Sequence, residues 1–537
     1  MPAIRNSPNY QCAVASPHSL GTEAARMAIE SGGNAIDAAL AAATALTVAY
    51  PHNTSIGGDL FALVRDPHGR ISSINASGSA GGLTDVADLR RRFGSRMPVT
   101  GVDSITVPGA IGGLAAIHKM GAQLPWASAF SRAVVLAEEG VRISPSLERA
   151  LRENSVLVDS DAGMRALFVP HDRRLSLGDI LRNPALGATL RTIADEGPSC
   201  LYGGEVGSSL VRGLQKLGST LTEKDFTGYR AHIEPALSSQ FRDLQVWTSP
   251  PNSQGFALLE ILNIIEALPL TNVDLFGEDA DLLVAIFQRA TSDRTSLLAD
   301  SSSCATLVAQ LLNPHYISET AAEIVRNRHL LQPSEMADGN RPAGDTVAVV
   351  TADSQGWAVS LIQSLFHSFG SGVLEPKTGL FLHDRGSFFS LDASSPNVVA
   401  PSKKPAHTLM PAMVTQGNNL AWVMGTMGGK AQPQILTQVL LRALSGDVAS
   451  KAVAQPRLIV GGLEVNQPEN SVHVEPGLAH VSRVLALSHL QVTVLVENDE
   501  SAGHANLISI STDRVIEAGS DPRSDGLAEV IARSDEP

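Results

Sequence analysis

RPAGDTVAVVTADSQGWAVSLIQSLF, residues 341–366, changes character at Thr346. Up to Asp345 it closes a loop: residues 333–345 read PSEMADGNRPAGD, dense in the Gly, Pro, Asn and Asp that favour turns. Beyond it, Val347-Ala-Val-Val350 is apolar and β-branched, Asp353 to Gly356 has turn composition, and a second apolar run follows. The pattern predicts a β-hairpin. A threonine therefore stands where a loop enters a sheet.

That position has a chemical meaning. A Thr hydroxyl attacks carbonyls only when a base takes its proton, and an N-terminal Thr carries such a base in its own α-amine. With a pKa of about 7.7–8.0, that amine accepts a proton near neutrality. Inside a chain the amine exists only after the preceding peptide bond is cut. Thr346 is thus a candidate nucleophile and Asp345–Thr346 a candidate self-cleavage site. The residues alone leave open a strand-opening threonine with no chemistry.

Outward from the hairpin, the 537 residues are 43% hydrophobic and 18% charged, which describes a core-forming globular chain. A net charge of −14 with 4% aromatics argues against nucleic acid as a partner. Cys12, Cys200 and Cys304 are too scattered for a disulfide framework or a thiolate metal site, which fits a reducing compartment. The start, MPAIRNSPNYQC, lacks the apolar core of a secretory signal. The longest largely apolar run, Ala38 to Tyr50, is shorter than the roughly 20 residues of a membrane span. A cytoplasmic protein with no membrane partner is the expectation.

The element pattern opens with a helix pair. Thr22 is the expected cap of a helix running to about Ser31, with Gly32-Gly33 as its stop. Asn34 caps a second, Ala-rich helix with Asp37 in its first turn. Short strands are expected from Leu60 to Ile74 around Asp66-Pro67-His68-Gly69. From Gly109 to about Ile264 helices are expected to dominate, broken at Pro125, Pro145, Pro170 and Pro184. A strand at Leu420 to Met424, a helix from about Gln434 and a mixed C-terminal stretch complete the reading as one domain.

Several familiar sites are missing. There is no H-E-x-x-H, the His residues show no ligand spacing, and no G-x-S-x-G occurs, so no metal or cofactor is expected. Gly425-Thr-Met-Gly-Gly-Lys-Ala431 is one residue short of a P-loop and ends in Ala where Mg²⁺ needs Ser or Thr. Glycine-rich backbone between strand and helix can instead stabilise an oxyanion.

Nine stretches carry a resemblance: SGGNAIDAALAAATAL (31–46), SIGGDLFALV (55–64), VPGAIGGL (107–114), LTEKDFTGYR (221–230), SPPNSQGFALLEILNIIE (249–266), GDT (344–346), FGSGV (369–373), GTMGGKAQPQ (425–434) and GSDPRSDG (519–526). In content, order and spacing the chain resembles the γ-glutamyltransferase family of N-terminal-nucleophile hydrolases, from about residue 12 to 530. The resemblance implies an α/β (α+β) fold, an αββα sandwich, as a single domain over 1–537. It also implies self-cleavage into a large subunit, 1–345, and a small subunit, 346–537, leaving open a homodimer of processed heterodimers. Gly428 and Gly429 would donate the oxyanion-hole N–H groups, and Ser364 would support the nucleophile.

The substrate-binding positions depart from the glutamyl enzymes. Asn75 stands where an Arg would hold the α-carboxylate, and an Asn has no charged fork. Phe366 replaces an Asn, Phe388 replaces the Asp for the α-ammonium, and His407 and Thr408 replace paired serines. Arg385 is new: it either pairs with a neighbour such as Asp384 or receives a substrate carboxylate. His383 and His367 read as packing or hydrogen-bonding residues. Residues 360–392 look most like the oxamate amidohydrolase branch. The expectation is a self-processing amidohydrolase acting on a small acidic amide. Its rivals are a γ-glutamyl hydrolase or transpeptidase, a carbon–carbon bond hydrolase of a biosynthetic pathway, and a processing-dead homologue.

Overall fold

The computed structural model describes residues 10–328, 345–462, 471–487, 490 and 492–533. The expected hairpin lies at its centre as antiparallel strands Asp345–Asp353 and Ala358–Phe366. Asp353 makes the turn: its Oδ1 accepts the N–H groups of Gln355 at 2.9 Å and Trp357 at 3.0 Å. Residues 333–344 of the preceding loop lie outside the described residues.

The hairpin sits inside a seven-stranded sheet. In spatial order its strands are Leu527–Ala532, Tyr10–Ser16, Asp345–Asp353, Ala358–Phe366, Asp59–Arg65, Ile71–Ala76 and His232–Pro235, each antiparallel to its neighbours. Side chains alternate between its faces. Val347, Val349, Val359 and Leu361 point to an outer layer that includes helix Ala35–Ala49. Every residue of that helix is buried, and its run of small side chains lets helix and strand approach closely. Asn34 caps it with Asp37 in a capping box, and Asp353 Oδ2 accepts the Ala35 N–H at 2.9 Å.

The opposite face, with Val350, Ala352 and Ala358, packs on Met413, Val423 and Ile508 of a six-stranded sheet. That sheet runs Ile516–Ser520, Ala505–Ile510, Asn419–Thr426, Ala412–Gln416, Leu244–Thr248, Leu237–Phe241. Helices Phe256–Glu266 and Gln432–Leu444 cover its far side. The result is the αββα sandwich expected from the resemblance.

Two expectations need correction. The first helix is Ser19–Glu30, capped by His18, whose Nδ1 accepts the Leu20 N–H at 3.2 Å. Thr22 lies inside it, its hydroxyl donating to Leu527 C=O at 2.7 Å, because a bridge between His18 and Asp525 fixes where the chain enters. Between Gly109 and Ile264, strands His232–Pro235, Leu237–Phe241 and Leu244–Thr248 interrupt the helices and build edges of both sheets. Elsewhere Pro145 and Pro184 open helices, and Pro125 and Pro170 precede or open 3-10 turns. Among the described residues no helix is long and apolar enough to cross a membrane, and the three cysteines are free and buried.

Candidate active site

Register places Thr346 opposite Ser364, and Ser364 opposite Asp59, in one row on the face between the sheets. Thr346 is 1% exposed, and its hydroxyl donates to Ser364 Oγ at 3.0 Å. Ser364 Oγ also accepts the Phe366 N–H at 2.7 Å and donates to the Asp345 carbonyl oxygen at 2.8 Å. One hydroxyl thus touches the attacking oxygen and polarises the carbonyl that precedes it. A bulge follows Ser364, and Phe366 adopts φ +82°, which turns the strand away at this point.

Strand Asn419–Thr426 delivers a glycine turn to the same space. Met427 N–H is taken by His504 C=O at 3.0 Å, whereas among the described residues no acceptor takes the N–H of Gly428 or Gly429. Gly428 has φ +144° and Gly429 φ +50°, backbone that a β-branched residue resists. Such a turn can offer adjacent N–H donors to an oxyanion.

Beyond Ser364 in the row, Asp59 gathers polar groups. His407 Nδ1 accepts the Leu409 N–H at 3.2 Å, so its proton sits on Nε2 and is donated to Asp59 Oδ2 at 3.1 Å. Burial, with Arg385 adding, pulls His407 down to about 3, and the ring is neutral. His383 Nδ1 lies 3.4 Å from the same Asp59 oxygen. Burial works against the Asp59 carboxylate, yet His383, His407 and Arg385 hold it below the ordinary value.

Arg385 is 1% exposed and forms no ion pair among the described residues. Asp384, its expected structural partner, is instead bound to His367. Arg385 Nη1 donates to Thr408 Oγ1 at 3.1 Å, its guanidinium lies 3.8 Å above the Phe366 ring, and among the described residues its Nε and Nη2 have no acceptor. Burial brings its pKa down to about 10, against the pull of Asp59 and Asp384. Phe388 packs on Phe366 at 5.3 Å, so the two rings form one wall beside the cation.

The gamma-glutamyltranspeptidase family profile matches residues 21–531. The chain belongs to that family. It is 34% identical to the glutathione hydrolase-like YwrD proenzyme of Bacillus subtilis, over 96% of this chain and 97% of that one. Its identity to the oxamate amidohydrolase proenzyme of Klebsiella pneumoniae is 33%, over 95% and 97%. Among solved structures, the cephalosporin acylase from Bacillus halodurans superposes with a TM-score of 0.89 at 30% identity, covering 99% and 98% of the two chains. As a gamma-glutamyltranspeptidase family member, the chain is an amidohydrolase of the N-terminal-nucleophile class.

Within that frame the fold brings Thr346, Ser364 and Asp59 to one face, with His407 on Asp59 and Arg385 on Thr408 and Phe366. Asn75 lies two strands from the hairpin, its Nδ2 donating to Asn252 Oδ1 at 2.8 Å. Two groups escaped sequence reasoning. Asp59 stands in the quoted SIGGD segment, but nothing local says that two histidines converge on it. Lys404, half of a Lys-Lys pair, reaches Asn75 Oδ1 at 3.5 Å and sets a cation beside it.

Proposed function

We propose that the chain cuts itself between Asp345 and Thr346, and that the freed Thr346 then hydrolyses a small amide whose acyl part carries a carboxylate, as oxamate does. Thr346 Oγ attacks the amide carbonyl and its proton passes to the Thr346 α-amine. Gly428 and Gly429 receive the oxyanion, and Ser364 holds the attacking oxygen. Collapse breaks the C–N bond, the leaving amine takes the proton, and water then releases the acid from the ester through the same base. The two pieces would stay together, because strands of both interleave in the large sheet: Asp345–Asp353 lies between Tyr10–Ser16 and its own hairpin partner.

Arg385 carries the substrate assignment. A buried cation with two N–H groups unpaired is costly, and a substrate carboxylate that reaches Nε and Nη2 removes that cost. Identity to an oxamate amidohydrolase supports the same class. The aromatic wall of Phe366 and Phe388 gives an α-ammonium no partner, which disfavours glutamyl substrates. Lys404 beside Asn75 favours the second reading, a γ-glutamyl hydrolase with a relocated carboxylate cation.

One assay separates them: hydrolysis of oxamate and of a γ-glutamyl anilide by wild type and Arg385→Gln. The proposal expects oxamate turnover that falls at least about tenfold in kcat/KM without Arg385, the loss of a charged hydrogen bond. Efficient γ-glutamyl turnover indifferent to Arg385 overturns it. N-terminal sequencing that never finds Thr346 overturns the cleavage and promotes a processing-dead homologue.

A further inference from the structure

Beside the chain just past Ser364 lies a second buried cluster that the steps above do not use. Asn53 C=O accepts the Leu365 N–H at 3.1 Å, and His52 C=O accepts the Phe369 N–H at 2.8 Å. Residues 52–53 therefore run beside the chain just past Ser364. Ser146 Oγ donates to Glu500 Oε2 at 3.2 Å and so accepts from His52 Nε2 at 3.3 Å, which leaves His52 Nδ1 as an acceptor. Arg149 Nη1 lies 3.1 Å from Glu500 Oε1. The Tyr50 ring sits 4.4 Å from the His52 ring.

Tyr50, His52 and Asn53 are buried, yet among the described residues His52 Nδ1 and Asn53 Oδ1 have no hydrogen-bond partner, and Tyr50 OH has none beyond its approach to Ser146. Native interiors rarely leave buried acceptors unpaired. All three would be explained by a donor that the uncut chain does not yet possess. Cutting the Asp345–Thr346 bond turns one amide N–H into an amine with two or three N–H groups at this place. We propose that Tyr50, His52 and Asn53 receive the freed Thr346 α-amine, and that Glu500, acting through Ser146 and His52, supplies its counter-charge. This assignment rests on the proposed cleavage site.

Electrostatics agree with the location. Burial pushes Glu500 up to about 7; Arg149 opposes this, while Asp345 and Asp525 add to it. Tyr50 is raised by burial and by the same carboxylates, so both groups feel Asp345. His52 is held at about 3 by burial, His504 and His18, and stays a neutral acceptor. Cutting the bond also places a new ammonium on Thr346, a positive charge that favours the ionised form of a nearby Glu500. An anion there favours the protonated amine, so Glu500 raises the pH at which Thr346 becomes a base.

The test titrates the amine itself. Mature wild type and Glu500→Gln are labelled with acetic anhydride across pH, and the acetylated peptide beginning at Thr346 is quantified by mass spectrometry. Glu500→Gln is expected to lower the amine pKa by about one unit, and the acid limb of kcat/KM moves with it. If Glu500→Gln does not fold, Ser146→Ala, which unlinks His52 from Glu500, must lower it by at least about half a unit. An unchanged amine pKa overturns the inference even when Thr346 is found at the N-terminus. A missing Thr346 N-terminus overturns the cleavage reading first, so the two failures are distinguishable.

Discussion

Replacing Ser364 by Ala removes one oxygen and three hydrogen bonds at the junction between Asp345 and Thr346. The small side chain fits, so the fold should survive, with the buried Phe366 N–H left unpaired at a cost of about 1–3 kcal/mol. The kinetic effect is larger. Ser364 O–H donates at 2.8 Å to the carbonyl oxygen that gains charge when Thr346 attacks. Losing one such donor costs about 2.7–4 kcal/mol in a transition state, which is about 10²–10³ in rate. Intact-mass spectrometry of freshly purified Ser364→Ala, followed over days beside wild type, reads the cleavage directly. Ser364→Thr keeps the hydroxyl and should recover most of the rate. Cleavage of the Ala variant within about threefold of wild type, far below that expectation, would refute the role drawn for Ser364.

Two further outcomes are expected. Gly429→Val, placed on backbone of φ +50°, should lower kcat by about 10²–10³ with little change in KM, and near-normal turnover in a steady-state assay would reduce the glycine pair to a turn. In Thr346→Ala, which should stay uncut, Glu500 keeps its proton to about 7 when folded but only to 4.5 when unfolded. Its contribution is therefore complete below pH 4.5 and lost as pH rises towards 7, by up to about 3 kcal/mol. Urea titrations of Thr346→Ala with and without Glu500→Gln should diverge across that window, and parallel curves would show that Glu500 is not shifted.

The hairpin was legible because its period-two pattern is local, and Thr346 because a loop ends on it. Motif order then carried the sandwich and put Ser364 and the glycine pair forward as candidates. What stayed hidden depends on distant segments meeting. Asp59 and His407 are 348 positions apart, and only strand register makes them neighbours. Thr22 carried the stronger capping signal, yet the contact between His18 and Asp525 moved the helix start. The edge strands His232–Pro235 and Leu237–Phe241 alternate weakly because most of their side chains are at least partly exposed on the sheet margins. Glu500 looked like any acidic residue in a turn until Ser146 and His52 were seen to line up behind it.

Alternation along the central strands divides labour between the two faces of one sheet. Val347, Val349, Val359 and Leu361 are committed to the helix side, where the tightly packed alanine helix leaves no room for change. Thr346, Ser364 and Asp59 belong to the other side, and their partners come from the 383–408 segment and the second sheet. Selection can therefore rewrite the side chains on that face without touching the contacts that keep the sheet assembled. A scaffold built this way separates the inheritance of its shape from the inheritance of its appetite, and relatives that share the first should be expected to differ freely in the second.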